Sequence, residues 1–165
     1  MRALALILIA FAAPAPAQDI WQDQRAAYFG VTLVDTSLEG ELGGPRADEA
    51  ARVTLIADRL AEALEAHGLI LADLAPVRTE LDRTANPADC YGCALRMAEA
   101  LGARYAVVAE VQKVSNLILS MNVVIRETGS GRPVRALAVD VRSNTDESWL
   151  HGMNYILRHG IFPEG

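Results

Sequence analysis

Cys90 and Cys93 are the only cysteines in the chain, and three positions separate them. Asn86-Pro87-Ala88-Asp89 reads as a helix start, with Asn86 as cap and proline at the first helical position, and the helix is expected to reach Leu101. Both sulfurs then fall in its first turns. Residues three apart on a helix are neighbours, so a disulfide closes with some distortion. Chain-entropy arithmetic for so short a loop gives only about 2 kcal/mol. A helix N-terminus also lowers a thiol pKa, which favours redox exchange. The flanks differ from thioredoxin, since no Trp precedes Cys90 and no strand feeds directly into it. No His follows Cys93, so the haem-attachment form is absent. Zinc would need two more ligands, and His67, His151 and His159 have no ligand spacing. A structural disulfide, a redox pair, and reduced or metal-bound thiols all remain open.

A polar cluster, Asn144 to Trp149, opens the last helical segment. Asn144 and Glu147 have capping-box spacing, while Asn144, Asp146 and Trp149 are candidates for a binding surface. Asp140 and Asp146 could form an acid/base pair, but no nucleophile or orienting group accompanies them. Asn116, Ser120 and Asn122 mark the polar side of an alternating strand, either a solvated sheet face or a docking surface. Gly40 to Gly44 fits neither a phosphate loop nor a dinucleotide fingerprint. Serine-hydrolase and zincin motifs are absent too. No cofactor is expected.

These residues need a scaffold, and periodicity supplies one. Ala27 to Val34 reads as a strand and Thr36 to Asp48 as a long loop. Ala47 to His67 is the clearest helix, with Val53, Ile56, Leu60 and Leu64 recurring at helical spacing and Gly68 as its stop. Leu69 to Leu74 is a short strand, and Pro76 to Thr84 one or two helical turns. Beyond the Cys90 helix, Arg104 to Val114 and Asn116 to Arg126 are consecutive strands. In the second, Leu117, Leu119, Met121, Val123 and Ile125 share one face. Pro133 to Arg142 returns through a glycine-containing turn, with Leu137, Val139 and Val141 inward. A helix from Asn144 to about Arg158 closes the chain. The order β-α-β-α-β-β-β-α implies an α/β (α+β) domain: a mixed sheet, parallel early, ending in an antiparallel meander, with helices packed on it.

The first residues carry an address. Arg2, the apolar stretch Ala3 to Ala13, and the small residues Ala15-Pro16-Ala17 form a secretory signal, expected to be cut between Ala17 and Gln18. The apolar core is too short to span a bilayer, which needs about 20 residues. No cysteine follows it for acylation, so no stable membrane anchor is expected after cleavage. The mature chain then divides into a polar lead-in (18–26) and one domain (27–165), of ordinary single-domain size. Of the 15 basic residues only Arg2 leaves with the signal, so 14 face 21 acidic ones, a net charge of −7. Such a surface repels nucleic acid and anionic lipid.

Leu33 to Glu41 (LVDTSLEGE), Cys90 to Cys93 (CYGC), Val111 to Asn122 (VQKVSNLILSMN) and Ser143 to Trp149 (SNTDESW) together resemble an uncharacterised family of small exported bacterial proteins. The resemblance spans nearly the whole mature chain. It implies a domain of unknown function, similar in outline to the N-terminal α/β domain of TolB-like periplasmic proteins. It also implies accessory work, since some relatives accompany periplasmic quinoprotein dehydrogenase systems. It brings no catalytic residues with it. The expectation is therefore a periplasmic accessory or binding module for a protein or small ligand, not an enzyme. The alternative is a thiol-disulfide or metal-handling protein using Cys90 and Cys93. Oligomeric state is not legible.

Overall fold

A computed structural model describes residues 20–163. The signal segment expected over residues 1–17 lies outside them. Strand β1 (Arg25–Asp35) leads into a short helix α1 (Leu38–Gly43) and the long helix α2 (Ala47–Ala66). A two-residue strand β2 (Ile70–Leu71) follows, then a 3-10 turn (Ala75–Val77) and helix α3 (Arg78–Asp82). Helix α4 (Cys93–Ala100) precedes β3 (Tyr105–Ser115), β4 (Ile118–Glu127) and β5 (Pro133–Val141). Helix α5 (Asp146–Ile156) continues into a wider, π-type turn (Leu157–Ile161).

The strands form one sheet in the order β2-β1-β3-β4-β5. The β1 pairings with β2 and β3 are parallel, and β3-β4 and β4-β5 are antiparallel. This is the expected mixed α/β sheet with a C-terminal meander. Local chemistry explains it: β-branched and apolar residues alternate in β3 and β4, while helical spacing builds one apolar stripe on α2.

Helices α2 and α5 cover one face. Ile56, Leu60 and Leu64 of α2 and Trp149, Met153 and Ile156 of α5 pack on Val107, Val111, Met121, Val123 and Ile125. Arg59 Nε donates to Asn154 Oδ1 at 2.9 Å, tying the two helices together. Trp21, in the stretch read as a lead-in, is buried in this core, with its ring edge-on to Tyr105 at 5.2 Å. On the second face α4 covers only one end, over Ala27, Phe29, Ala106 and Val108.

Several boundaries differ from the reading of the sequence, each for a local reason. The stretch expected as a plain loop holds α1, because Ser37 Oγ accepts from Gly40 N at 3.1 Å and caps it. The helix expected from Asn86 begins only at Cys93. Tyr91 and Gly92 take φ of 49° and 86°, which no α-helix accommodates. Asn86 caps a turn instead, accepting from Ala88 N at 3.0 Å. Leu117 sits in the β3–β4 turn and is exposed, so it leaves the inward face of β4. The cap of α5 is Thr145, paired reciprocally with Ser148, rather than Asn144 with Glu147.

Candidate functional site

Parallel strands β1 and β3 end side by side, with Asp35 opposite Lys113. Inward positions along β3 run Val107, Ala109, Val111 and then Lys113, so the strand carries a lysine into the core. Its side chain is fully buried. Three carboxylates meet the ammonium: Glu49 Oε1 at 2.6 Å, Asp35 Oδ2 at 3.1 Å and Glu39 Oε2 at 3.4 Å. Glu49 comes from the first turn of α2, four residues before Val53 and in line with the apolar stripe, and is almost fully buried as well.

Asparagines extend the cluster. Asn144 Nδ2 donates to Glu49 Oε1 at 2.7 Å and to Asn116 Oδ1 at 3.0 Å. Asn116 Nδ2 in turn donates to Glu39 Oε2 at 2.8 Å. Arg52 of α2 reaches Asp146 Oδ1 at 2.9 Å, Asp48 Oδ2 at 3.0 Å and Asn144 Oδ1 at 3.3 Å. Ser37 Oγ donates to Asp35 Oδ1 at 2.6 Å, fixing the start of α1 to the end of β1. Three of the four sequence motifs thus converge: the Asp35–Glu39 stretch, the Lys113–Asn116 stretch and the Asn144–Asp146 stretch.

Electrostatics follow from that geometry. Burial pushes the Asp35 carboxyl up, but the Ser37 hydroxyl and amide together with Lys113 outweigh it, leaving the group below the ordinary carboxylate range. Asn116 and then Lys113 hold Glu39 low too. Burial opposes the charge on Lys113, and the hydrogen bonds it donates to Glu49 and Asp35 overcome it, so its pKa is raised. Asp35, Glu39 and Lys113 are therefore charged together at neutral pH. Held ionised below the usual range, Asp35 and Glu39 are poor general bases near neutrality. Among the described residues no group of three or more His, Cys, Asp or Glu is arranged to hold a metal. The lysine occupies the centre of the acidic cluster.

The residues singled out in the sequence separate into distinct places. Asn116, Asn144 and Asp146 belong to the network. Ser120 and Asn122 stand on the open part of the second sheet face, opposite Gln112 and Glu110 on β3. Trp149 is fully buried among the core residues between α5 and the sheet, so it contributes nothing to a surface. Its Nε1 meets no acceptor among the described residues. Asp140 pairs loosely with Arg142 at 3.7 Å while Asp146 pairs with Arg52, so they do not form an acid/base pair. Cys90 and Cys93 form a close pair in disulfide geometry, with Cα atoms 5.5 Å apart, across the sheet from the network. Sequence reading missed Lys113, Asp35, Glu39, Glu49 and Arg52 as members of a site. The available signal was a charged residue at an inward position of a strand and of a helix stripe.

Residues 24–161 match the family DUF3280, described as "Protein of unknown function (DUF2380)". The chain is a member of that family. No curated protein matches it in sequence. Among solved structures, this DUF3280 member is similar to the LpoB C-terminal domain from Salmonella enterica, at 16% identity and a TM-score of 0.53, covering 77% of this chain and 88% of that one. It is also similar to lipoprotein GNA1162 from Neisseria meningitidis, at 13% identity and a TM-score of 0.50, covering 82% and 94%. At such identities the likeness is one of fold.

The network sets the surface around it. Glu39 lies between the apolar Leu38 and Leu42 of α1, and the hydrogen bond it accepts from Asn116 brings α1 against the β3–β4 turn. Leu38, Leu42, Val114, Leu117 and Ile118 are each more than half exposed. One end of the domain therefore carries exposed apolar side chains on α1 and around the β3–β4 turn, beside the buried ion network. Clusters of large exposed apolar side chains commonly mark interaction surfaces.

Proposed function

We propose that this DUF3280 member is an exported, non-catalytic accessory module of the bacterial envelope that binds a protein partner. The observation that carries the reading is the apolar rim of Leu38, Leu42, Val114, Leu117 and Ile118, held in place from below by Lys113 and its carboxylates. Fixing α1 and the turn before binding lowers the ordering cost of association. The flanking Asn116, Asn144 and Asp146 supply a polar border, and Ser120 and Asn122 continue it onto the open sheet face. The signal expected over residues 1–17 supports a periplasmic location, and the shared fold with a protein titled a lipoprotein agrees with work in the envelope.

Photo-crosslinking in the native periplasm tests this. A crosslinker placed at Leu42 or Leu117 is expected to give one discrete adduct, and one at the exposed Glu65 none. Absence of an adduct at both rim positions, or equal labelling at all three, overturns the reading.

A thiol-disulfide role for Cys90 and Cys93 is the second reading. It is favoured by an open pocket of about 870 Å³ lined by both cysteines together with Arg83 and Arg96, whose charges would draw an attacking thiolate. A reduction potential above about −250 mV supports it; one below about −300 mV marks the bond as structural.

A further inference from the structure

A second pocket opens beside the ion network, between α1 and the first turns of α2. Its volume is about 440 Å³, within the roughly 300–1,000 Å³ of small-molecule sites, and its lining includes Leu33, Asp35, Glu49, Ala50 and Val53 together with Arg46, whose guanidinium is engaged by Glu39 and Asp48. The walls are mainly apolar. The polar group of most consequence is Glu49, almost fully buried yet part of the lining. Its Oε1 already accepts from Lys113 and Asn144, whereas its Oε2 has no hydrogen-bond partner among the described residues. That second oxygen is left to accept from a donor that enters the pocket.

Charge sets the kind of donor. Within the network Asp35, Glu39, Asp48, Glu49 and Asp146 face only Lys113, Arg46 and Arg52. Five carboxylates against three cations leave an excess of negative charge, which disfavours anions and favours a cation. Gly40 keeps the floor open, since a Cβ there would fall 2.5 Å from the Asp35 carboxylate.

We propose that this pocket binds a primary ammonium group on a short aliphatic stem, with its N–H donating to Glu49 Oε2 and the stem lying against Leu33, Ala50 and Val53. The group belongs either to a free amine or to a lysine side chain presented by another protein. The site is separate from the apolar rim and does not rest on the docking reading.

Amide NMR titration of the mature chain tests the proposal with n-butylammonium, a capped lysine tripeptide and, as uncharged control, butanol. Saturable shifts at Gly40, Gly44 and Ala50 are expected with at least one ammonium probe, and butanol is expected to bind about tenfold more weakly. Preference for n-butylammonium identifies a free amine, and preference for the tripeptide a partner's lysine. Glu49→Gln is expected to weaken binding about tenfold. Ala50→Phe fills the mouth from the exposed side of α2, leaves the ion network in place, and is expected to abolish binding even if Glu49→Gln fails to fold. No saturable shift with either ammonium probe, equal binding of butanol, or undiminished binding to Ala50→Phe overturns the proposal.

Discussion

Lys113 and Glu49 stand 64 positions apart in the chain and meet at 2.6 Å in the interior, joining the last inward position of β3 to the first turn of α2. Asn144 binds the same Glu49 oxygen from just before α5. A single buried contact thereby fixes three elements against one another. Buried ion pairs are weak evidence for net stability, but breaking one side strands a charge. Lys113→Met is accordingly expected to cost about 3–5 kcal/mol. Adding Glu49→Leu should recover more than half of that loss, because the stranded carboxylate is gone. Urea unfolding of both variants checks this, and a single-variant loss under about 1 kcal/mol would show the pair to be dispensable.

The same network sets a pH window. Folded Asp35 and Glu39 lie below their ordinary values of 3.8 and 4.5, so their contribution is complete above those values and is lost as pH falls through the lower folded ones. Lys113 lies above its ordinary 10.5, so its contribution is complete below 10.5 and is lost as pH rises through the higher folded value. Thermal unfolding is expected to be flat in this respect from about pH 5 to about pH 10, declining on both sides. In Lys113→Met the alkaline limb attributable to this residue should vanish and the acid limb should become shallower. Scans across pH on the two proteins decide it.

What the sequence disclosed of this arrangement depended on range. Period-two alternation made β4 readable through Leu119, Met121, Val123 and Ile125, and the stripe of Ile56, Leu60 and Leu64 made α2 readable, since each pattern is written locally. The helix start at Asn86 misled because Asn-Pro opens a turn and a helix with the same residues, and only the left-handed backbone at Tyr91 and Gly92 separates the two. Asn144 misled similarly: it has cap chemistry, but its amide is drawn to Glu49, 95 positions away, and Thr145 takes the cap. Asn116, Asn144 and Asp146 were legible as polar candidates. Their grouping around Lys113 was not, because nothing local to any of them names its partners.

The Cys90–Cys93 bond closes a very short loop, so the denatured chain gains little order from it. Replacing both by serine is expected to lower stability by about 2 kcal/mol while the rim and ion network persist. The loss should appear mainly around α4, where Cys93, Ala94, Met97 and Ala98 pack on Ala106 and Val108. Hydrogen exchange resolved by segment provides the check. Equal loss of protection in α2 and α5 would show that the bond supports the whole fold and not one end of it.

Glycine spacing at the C-terminus offers a test of packing without charge. Gly160, in the π-type turn, lies so close to β5 that an added Cβ would overlap the Leu137 side chain, while Gly43 at the end of α1 has nothing within 4 Å of that position. Neither glycine has a positive φ, so space alone separates them. Gly160→Ala is expected to cost about 1–3 kcal/mol through overpacking. Gly43→Ala should instead stabilise by about 0.4–1 kcal/mol, by restricting the unfolded chain. Leu137→Gly removes the Cβ that the new methyl would meet, so combining it with Gly160→Ala should cost less than the two single losses added together. Thermal unfolding of the four variants measures the coupling. Strict additivity would mean that the turn relaxes away from β5 and that this contact does not fix its position.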